Sequence, residues 1–520
     1  MDLSPDACYR ALTSRDARFD GRFFIGVRST GVYCRPICPV RTPLRRNITF
    51  YPCAAAAAEA GFRPCLRCRP ETAPGTPAWR GTSATVSRAL QLIGEGALDR
   101  SGIPELADRV GIGERHLRRL FDLHVGASPV SVAQTRRIHF AKKLLNETRL
   151  PMTEVASAAG FSSLRRFNTA MRETYGRAPR ELRRGRGSRP ETEDSSLQLR
   201  LDYRPPFDWP AMMSHLQARA LPGVEQVDAD VYVRSIEIGG MSGRIEVEPA
   251  QQDHAVMLRV PARFSRHLMG IVERVRRSFD LAADPAEIQL QLGRDPMLRK
   301  IMSAHTGLRV PGAWDGFETA VRAILGQQVS VAGATTLAGR LARQWGEKLD
   351  DPRGEVVRTF PRPERLARVD LTRLGVVRTR ARAIRTLSRE VAAGRIRLDA
   401  SADVDQTCQA LLAIQGIGPW TVQVVAMRAL RDPDSFPAGD LGLRRAFELQ
   451  GQTLDAAAIE ARAEGWRPWR AYAAVALWRF EGLEATRRLK ATRRLEARRG
   501  LQASSTVDKN SSRLPSGSRQ

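Results

Sequence analysis

Residues Leu411–Ala446 read LLAIQGIGPWTVQVVAMRALRDPDSFPAGDLGLRRA, and this stretch decides the fold of the C-terminal half. Leu412, Ile414, Gly416, Ile417 and Gly418 describe a helix that ends in a glycine turn, with a second helix opening behind it. Such a hairpin aims backbone N–H groups, and the start of its second helix, at a phosphate. Gly416 and Gly418 are therefore expected against a nucleic-acid backbone. About twenty residues on, Pro437-Ala438-Gly439-Asp440 brings a carboxylate beside the same hairpin. An acid there repels phosphates and is costly unless used. Its simpler role is the N-cap of the helix LGLRRAFEL, and both roles can hold at once.

The rest of the chain agrees with a polyanionic partner. Its 520 residues carry a net charge of +27, spread along the length and almost all arginine, which points to nucleic acid. With 42% hydrophobic and 27% charged residues, most of the chain can bury cores. No apolar run reaches 18 residues, so no membrane partner is expected, and MDLSPDACYR lacks the features of a secretory leader. Seven cysteines, six of them before residue 70, do not make a disulfide scaffold; a reducing, cytoplasmic compartment is expected. Linkers are read at Thr72–Gly81 (TAPGTPAWRG) and at 185–196, and a disordered basic tail at 486–520.

At the N-terminal end, Cys34-x3-Cys38 and Cys65-x2-Cys68 can supply four thiolates to one tetrahedral Zn²⁺, and a domain of this size would gain stability from a structural metal. The competing reading is four buried free thiols. Cys8 and Cys53 have no close partner and read as core or surface thiols. Next, IPELADRVG (103–111) followed by ERHLRRLFDLHVG (114–126) reads as helix, turn and helix, with Arg115, Arg118 and Arg119 facing outward. The pattern recurs in MTEVASAAGFSSLRRFNTAMRETYGRAP (152–179), where Ser162, Ser163, Arg165 and Arg166 open the second helix. Two major-groove readers fit this recurrence, and a plain helical bundle with solvated arginines is the alternative.

These motifs resemble three known families. GVRSTGVYCRPICPVRTPLRRNITFY and AGFRPCLRCRP closely resemble the zinc domain of Ada-type DNA methylphosphotriester methyltransferases, over about residues 3–72. That resemblance implies that all four cysteines bind zinc and that Cys34 is also the methyl acceptor. The reaction would be stoichiometric, and loss of one negative charge at the centre would raise DNA affinity. AAGFSSLRRFNTAMRETYGRAPREL resembles the second repeat of AraC-type DNA-binding domains. No Pro-Cys-His-Arg motif follows, so the O6-alkylguanine transferase half of many Ada proteins is absent.

From about residue 197 to 483 the chain is similar to the helix-hairpin-helix-GPD superfamily of DNA glycosylases, in its AlkA-type 3-methyladenine branch. LDYRPPFDWPAMMSHLQARA, FETAVRAILGQQVSV and GWRPWRAYAAVALWRFEG carry this similarity alongside the hairpin. The resemblance implies that Asp440 is the catalytic carboxylate, that Trp420 and Trp478 line the base pocket, and that Gln327 and Gln328 sit in the loop that wedges into DNA. It leaves Trp466 and Trp469 as structural. Some relatives place a pocket tyrosine where this chain has Val424, so a less aromatic pocket is expected. Bifunctional members carry a lysine at the position of Trp420, so a water-using enzyme without strand cleavage is expected.

The expected architecture is multidomain α+β. It comprises a small zinc-bound α/β domain (1–75), an AraC-type all-α domain with two helix-turn-helix units (83–184), a TBP-like α+β AlkA-type N-terminal domain (197–283) and an all-α helix-hairpin-helix-GPD domain (284–485). The expected function is an Ada–AlkA fusion: methyl transfer from phosphotriesters, transcription activation, and hydrolytic release of alkylated purines of the 3-methyladenine and 7-methylguanine type. Alternatives are a transcription regulator whose glycosylase half only binds DNA, and a glycosylase that the other modules merely target. Double-stranded DNA and RNA polymerase are the expected partners of a monomer associated with the nucleoid. Asp440 is expected in a separate domain beyond the 185–196 linker, so base excision should not depend on Cys34, while the sequence leaves open whether the halves communicate.

Overall fold

Strands Phe24–Val27 and Val32–Cys34 form an antiparallel hairpin, with Gly31 turning at φ +64°. Ile48–Tyr51 adds antiparallel on one side, and Arg63–Pro64 adds parallel on the other. The parallel pair matters most. Val32 faces Arg63 and Tyr33 faces Pro64, so the chain leaves both strands at one end with Cys34 and Cys65 side by side. The computed structural model describes residues 3–74, 84–183, 196–251, 254–399 and 402–487. Of the expected linkers and tail, residues 75–81, 185–195 and 488–520 lie outside the described residues. Thr72, read from sequence as a linker residue, is buried in the 3-10 turn Pro70–Thr72, where its hydroxyl accepts from Arg35.

The helical segment contains two helix-turn-helix units. Ile103–Val110 and Glu114–His124 form the first, Met152–Ala158 and Leu164–Tyr175 the second, and Pro129–Glu147 joins them. Gly111 and Gly160 make the turns with φ of +80° and +82°, a left-handed conformation that favours glycine.

Residues 196–261 build a five-stranded antiparallel sheet, in the order Ser196–Asp202, Ala255–Pro261, Met241–Pro249, Val231–Ile238, Glu225–Asp228. Helices Trp209–Gln217 and Leu268–Ser278 contribute Trp209, Met212, Ile271 and Val275 to its core.

The remainder is helical, with one correction to the all-α expectation. A two-stranded ribbon, Lys348–Arg353 with Val356–Arg358, interrupts the helices. The helices gather around two apolar cores. One is built from residues 283–310 and 427–477, the other mainly from residues 317–425. Pro419–Arg428 contributes to both, through Met427 on one side and Val422 and Val425 on the other.

The N-terminal and C-terminal halves are packed together rather than merely tethered. Ile138, Leu145, Val155 and Phe167 share one buried cluster with Leu199, Val260, Phe264 and Leu268. Polar contacts cross the same boundary: Arg200 N–H donates to Glu147 at 3.0 Å, and Arg22 pairs with Asp284 at 3.0 Å. The expectation of halves separated by a linker thus gives way to a shared core.

Candidate metal centre and carboxylate cleft

The four sulfur atoms of Cys34, Cys38, Cys65 and Cys68 lie within 4.8 Å of one another, and all four residues are buried. Four thiolates at about 2.3 Å from one Zn²⁺ would have sulfurs roughly 3.8 Å apart, so the set fits a tetrahedral zinc. The backbone explains the gathering. Cys65 N–H donates to Tyr33 O at 3.0 Å, Cys38 N–H closes a turn onto Arg35 O at 3.1 Å, and Arg35 N–H donates to Cys68 Sγ at 3.3 Å. Without a cation the thiols cannot all ionise. Hydrogen bonding with Cys38 pushes the Cys34 thiol up, hydrogen bonding with Cys34 does the same to Cys68, and Cys65 is driven down by hydrogen bonding with Cys34. Cys34 is 9% exposed, the largest value of the four by a small margin. Cys8 is buried outside this set, and Cys53 instead caps helix Ala54–Glu59, its sulfur accepting from Ala56 N–H.

Next to Cys34, the Arg35 guanidinium is almost wholly enclosed. It pairs with Asp20, donates to Cys68 O at 3.2 Å, and reaches Asp202 of the five-stranded sheet at 3.6 Å. Burial works against its charge, but Asp20 and Asp202 more than offset that and hold Arg35 ionised. No spacing rule could have singled it out.

The second site surrounds Asp440, the N-cap of helix Leu441–Glu448. Its Oδ1 accepts from Gly442 N–H at 2.8 Å, from Leu443 N–H at 3.2 Å and from Trp478 Nε1 at 2.8 Å; its Oδ2 accepts from Trp420 Nε1 at 2.7 Å. Asp440 therefore caps the helix and also accepts from two indoles. The two indoles, expected as pocket walls, also act as donors that fix the carboxylate. Trp420 stands in the first turn of Pro419–Arg428 and Trp478 on the helix through 470–487, so the carboxylate lies where the two helical cores meet. Asp440, Trp420 and Trp478 all remain partly exposed. Gly442 is closely packed: a Cβ there would lie 3.0 Å from both Asp440 Oδ1 and Trp478 Cδ1, so those side chains would have to shift by a few tenths of an ångström.

Behind Trp478 stands Arg428, which the sequence did not single out. Its guanidinium carbon is 5.7 Å from the Trp478 ring centroid, and its Nη1 lies 2.9 Å from His215 Nε2. Burial, with Arg219 and Arg322 nearby, pulls Arg428 down to about 9. Burial and Arg219 also hold His215 well below the usual range, so a neutral imidazole accepts from a charged guanidinium. Val424 packs against the core of residues 317–425. Trp466 and Trp469 are buried, and Trp466 Nε1 donates to Asp295 at 3.2 Å.

The hairpin is formed by Val404–Leu412 and Pro419–Arg428, with Ile414 and Ile417 buried and Gly416 exposed at φ +94°. Gln327 turns inward: its amide donates to Gly416 O and to Thr421 Oγ1, both at 2.9 Å. Gln328 is exposed, with a left-handed φ of +53°. Arg115, Arg118 and Arg119 are exposed, although Arg118 pairs with Glu114 at 2.6 Å. Ser162, Ser163, Arg165 and Arg166 are exposed at the start of the second recognition helix, which Ser163 caps. No described helix is long and apolar enough to cross a membrane.

Four family models match: the metal binding domain of Ada at 7–71, a helix-turn-helix domain at 106–185, the AlkA N-terminal domain at 198–315, and the HhH-GPD superfamily of base excision DNA repair proteins at 321–471. The chain is 44% identical over 476 residues to a probable bifunctional transcriptional activator/DNA repair enzyme AlkA of Mycobacterium tuberculosis, covering 91% of this chain and 96% of that protein. Its C-terminal half is 36% identical to DNA-3-methyladenine glycosylase 2 of Escherichia coli, over 54% of this chain and 97% of the relative. Its N-terminal part is 33% identical to the bifunctional activator/repair enzyme Ada of Escherichia coli, over 35% of this chain and 50% of the relative. A four-sulfur zinc site, two helix-turn-helix units and an indole-bound carboxylate beside a helical hairpin thus occur in one chain, which belongs to the AlkA-type bifunctional transcriptional activator/DNA repair enzymes, an Ada–AlkA fusion.

Proposed function

We propose that Asp440 carries the base-excision chemistry of this fusion and that Cys34 accepts the methyl group in its sensor. The observation that carries the reading is Asp440 itself, a partly exposed carboxylate held by four N–H donors at the junction of two helical cores. Two peptide donors and two indole donors fix both oxygens, so the charge is already in place when the sugar becomes cationic. As the C1′–N bond breaks, its electron pair leaves with the base. Asp440 stabilises the oxocarbenium-like sugar, and water adds at C1′ and loses a proton. A 3-methyladenine base is cationic before cleavage and leaves neutral, so little help to the leaving group is required. Trp420 and Trp478 offer rings for stacking on that positive charge, an interaction of about 0.5–2 kcal/mol. Arg428 already occupies one face of Trp478. With tryptophan at 420 no lysine is available there for a Schiff base, and the product is an abasic site with an intact strand.

In the sensor, Cys34, Cys38, Cys65 and Cys68 would hold one Zn²⁺, which keeps their sulfurs deprotonated at neutral pH. Cys34 Sγ attacks the methyl carbon of the phosphotriester in line, and the phosphodiester anion leaves. No group restores the thiolate, so each chain reacts once. Methylation removes one negative charge from a set facing DNA phosphates and strengthens promoter binding. The exposed arginines and serines of the two recognition helices read the promoter, and Gln328 extends toward the gap left by a flipped base. RNA polymerase is the partner in activation, and the chain works as a monomer on the nucleoid in the cytoplasm. The test is excision of 3-methyladenine by wild type and Asp440→Asn, with mass spectrometry of the Cys34 peptide after exposure to methylphosphotriester DNA. Methyl on another cysteine, or undiminished excision by the variant, would overturn the assignment.

A further inference from the structure

Helix Arg378–Ala392, RTRARAIRTLSREVA, is strongly basic and lies beside the hairpin. Arg378, Arg382, Arg385 and Arg389 are spaced +4, +7 and +11, which at 3.6 residues per turn puts all four on one narrow stripe. The opposite side is buried through Ala383, Ile384 and Leu387. The stripe is about 16 Å long at 1.5 Å per residue. Arg385 is tied back to Val369 O at 3.3 Å, whereas Arg378, Arg382 and Arg389 are exposed.

Among the described residues, none of these three has a carboxylate within 4.0 Å. Some exposed arginines elsewhere on this chain do have one, among them Arg118 with Glu114, Arg395 with Glu390, Arg467 with Glu464 and Arg487 with Glu484, whereas Arg115 and Arg165 on the helix-turn-helix units share the unpaired state of this stripe. Like charges four apart on a helix cost a few tenths of a kcal/mol, so an unpaired stripe is not what solvation alone favours. Its place is equally specific. A Cβ on Gly416 would lie 3.3 Å from Ala383 Cβ and 3.6 Å from Thr379 O, so the hairpin turn sits directly against the first half of this helix.

We propose that Arg378, Arg382 and Arg389 form a second phosphate-docking surface that continues the hairpin contact along the duplex flanking the lesion. The proposal rests on the hairpin reading and extends its footprint. Phosphates advance about 3.4 Å along the axis per strand, so a 16 Å stripe can neutralise several of them. Such contacts carry no sequence information, which suits an enzyme whose lesions fall anywhere.

The experiment compares full-length wild type, the triple variant Arg378→Gln/Arg382→Gln/Arg389→Gln and the corresponding triple lysine variant. Each binds a 30-base-pair duplex containing a tetrahydrofuran abasic analogue, over about 50 to 200 mM salt. Each lost phosphate contact should reduce the log–log salt slope by about 0.9, so the glutamine variant should lose between two and three units of slope. Its affinity at 50 mM salt should fall by at least tenfold, with an unchanged melting temperature, while the lysine variant keeps most of the slope. The helix-turn-helix units contribute equally to all three chains and cancel in the difference. An unchanged slope in the glutamine variant would overturn the proposal, as would a lysine variant as impaired as the glutamine one. Because the readout is binding, a wild-type chain that excised no base would remove the functional reading and leave this test standing.

Discussion

Replacing Asp440 by asparagine separates shape from charge at the cleft. Asparagine caps helices about as well as aspartate, so Gly442 and Leu443 N–H keep an acceptor if the amide oxygen takes the place of Oδ1. The same oxygen can keep the Trp478 donor. The amide NH₂ then faces Trp420 Nε1 at a position where 2.7 Å separates donor from acceptor in the native site, and two donors meet. An orphaned donor costs about 1–3 kcal/mol when buried, and the low end applies to this partly exposed cleft. In a chain of this length that shifts melting by only a few degrees. The chemical loss is larger. Removing one preorganised electrostatic group costs about 10²–10³ in rate, or ~2.7–4 kcal/mol. Binding to an abasic duplex should stay equal or tighten, because a charge facing phosphates is gone. The assay is single-turnover release of 3-methyladenine from methylated duplex DNA at saturating enzyme. A rate within threefold of wild type would refute the reasoning, since the cap alone would then explain why Asp440 is there.

The indoles can be tested by splitting their two roles. Trp420→Phe and Trp478→Phe keep a ring but remove the N–H donors to Asp440, so excision of cationic and neutral bases should fall together, whereas Trp→Ala should penalise 3-methyladenine more than hypoxanthine. Equal losses for both substrates in the alanine variants, with lower melting temperatures, would mark the rings as packing. Cys65→Ser or Cys68→Ser should lose zinc and unfold the N-terminal domain, while Cys34→Ser retains much of the fold but transfers no methyl; zinc content and peptide mass spectrometry decide. Asp20→Ala leaves the enclosed Arg35 with only the more distant Asp202 as a counter-charge and should destabilise the N-terminal domain by about 3–5 kcal/mol, read by denaturant unfolding. Burial pulls His139 from 6.5 down to about 4, so the unfolded chain takes up a proton that the folded chain refuses, and stability should fall as pH drops from 6.5 to 4. His139→Gln should show a shallower decline in melting temperature over that window, and parallel curves would disprove the role.

What was legible in the sequence was local. The paired cysteines, the repeated helix-turn-helix pattern and the Gly416–Gly418 turn each encode a backbone geometry within a few dozen residues, and the structure forms all three. Less legible was whatever depends on distant partners. Trp420 and Trp478 could be read as rings, but that both N–H groups point at Asp440 follows only from the meeting of two helical cores. Arg428 and His215 lie in different segments and share no periodicity, so their pairing behind Trp478 left no trace in spacing. Strand Met241–Pro249 is hard to read from sequence because its alternation is interrupted by Gly243, whose position is fixed by Phe264: a Cβ there would lie 2.6 Å from that ring. The linker reading of 185–196 was compositional and could not foresee Phe167 and Leu268 in one core. The family resemblance of its loop points Gln327 toward DNA, whereas its side chain locks that loop to the hairpin.

The central claim is that one chain both senses backbone methylation and excises alkylated bases. Incubating the zinc-loaded protein with methylated duplex DNA, then quantifying free 3-methyladenine and methyl on the Cys34 peptide in the same sample, tests it directly. Purine release should continue over many turnovers, while methyl transfer should stop at one per chain and reside on Cys34. Methyl transfer without any purine release, or purine release with Cys34 unmodified, would contradict it.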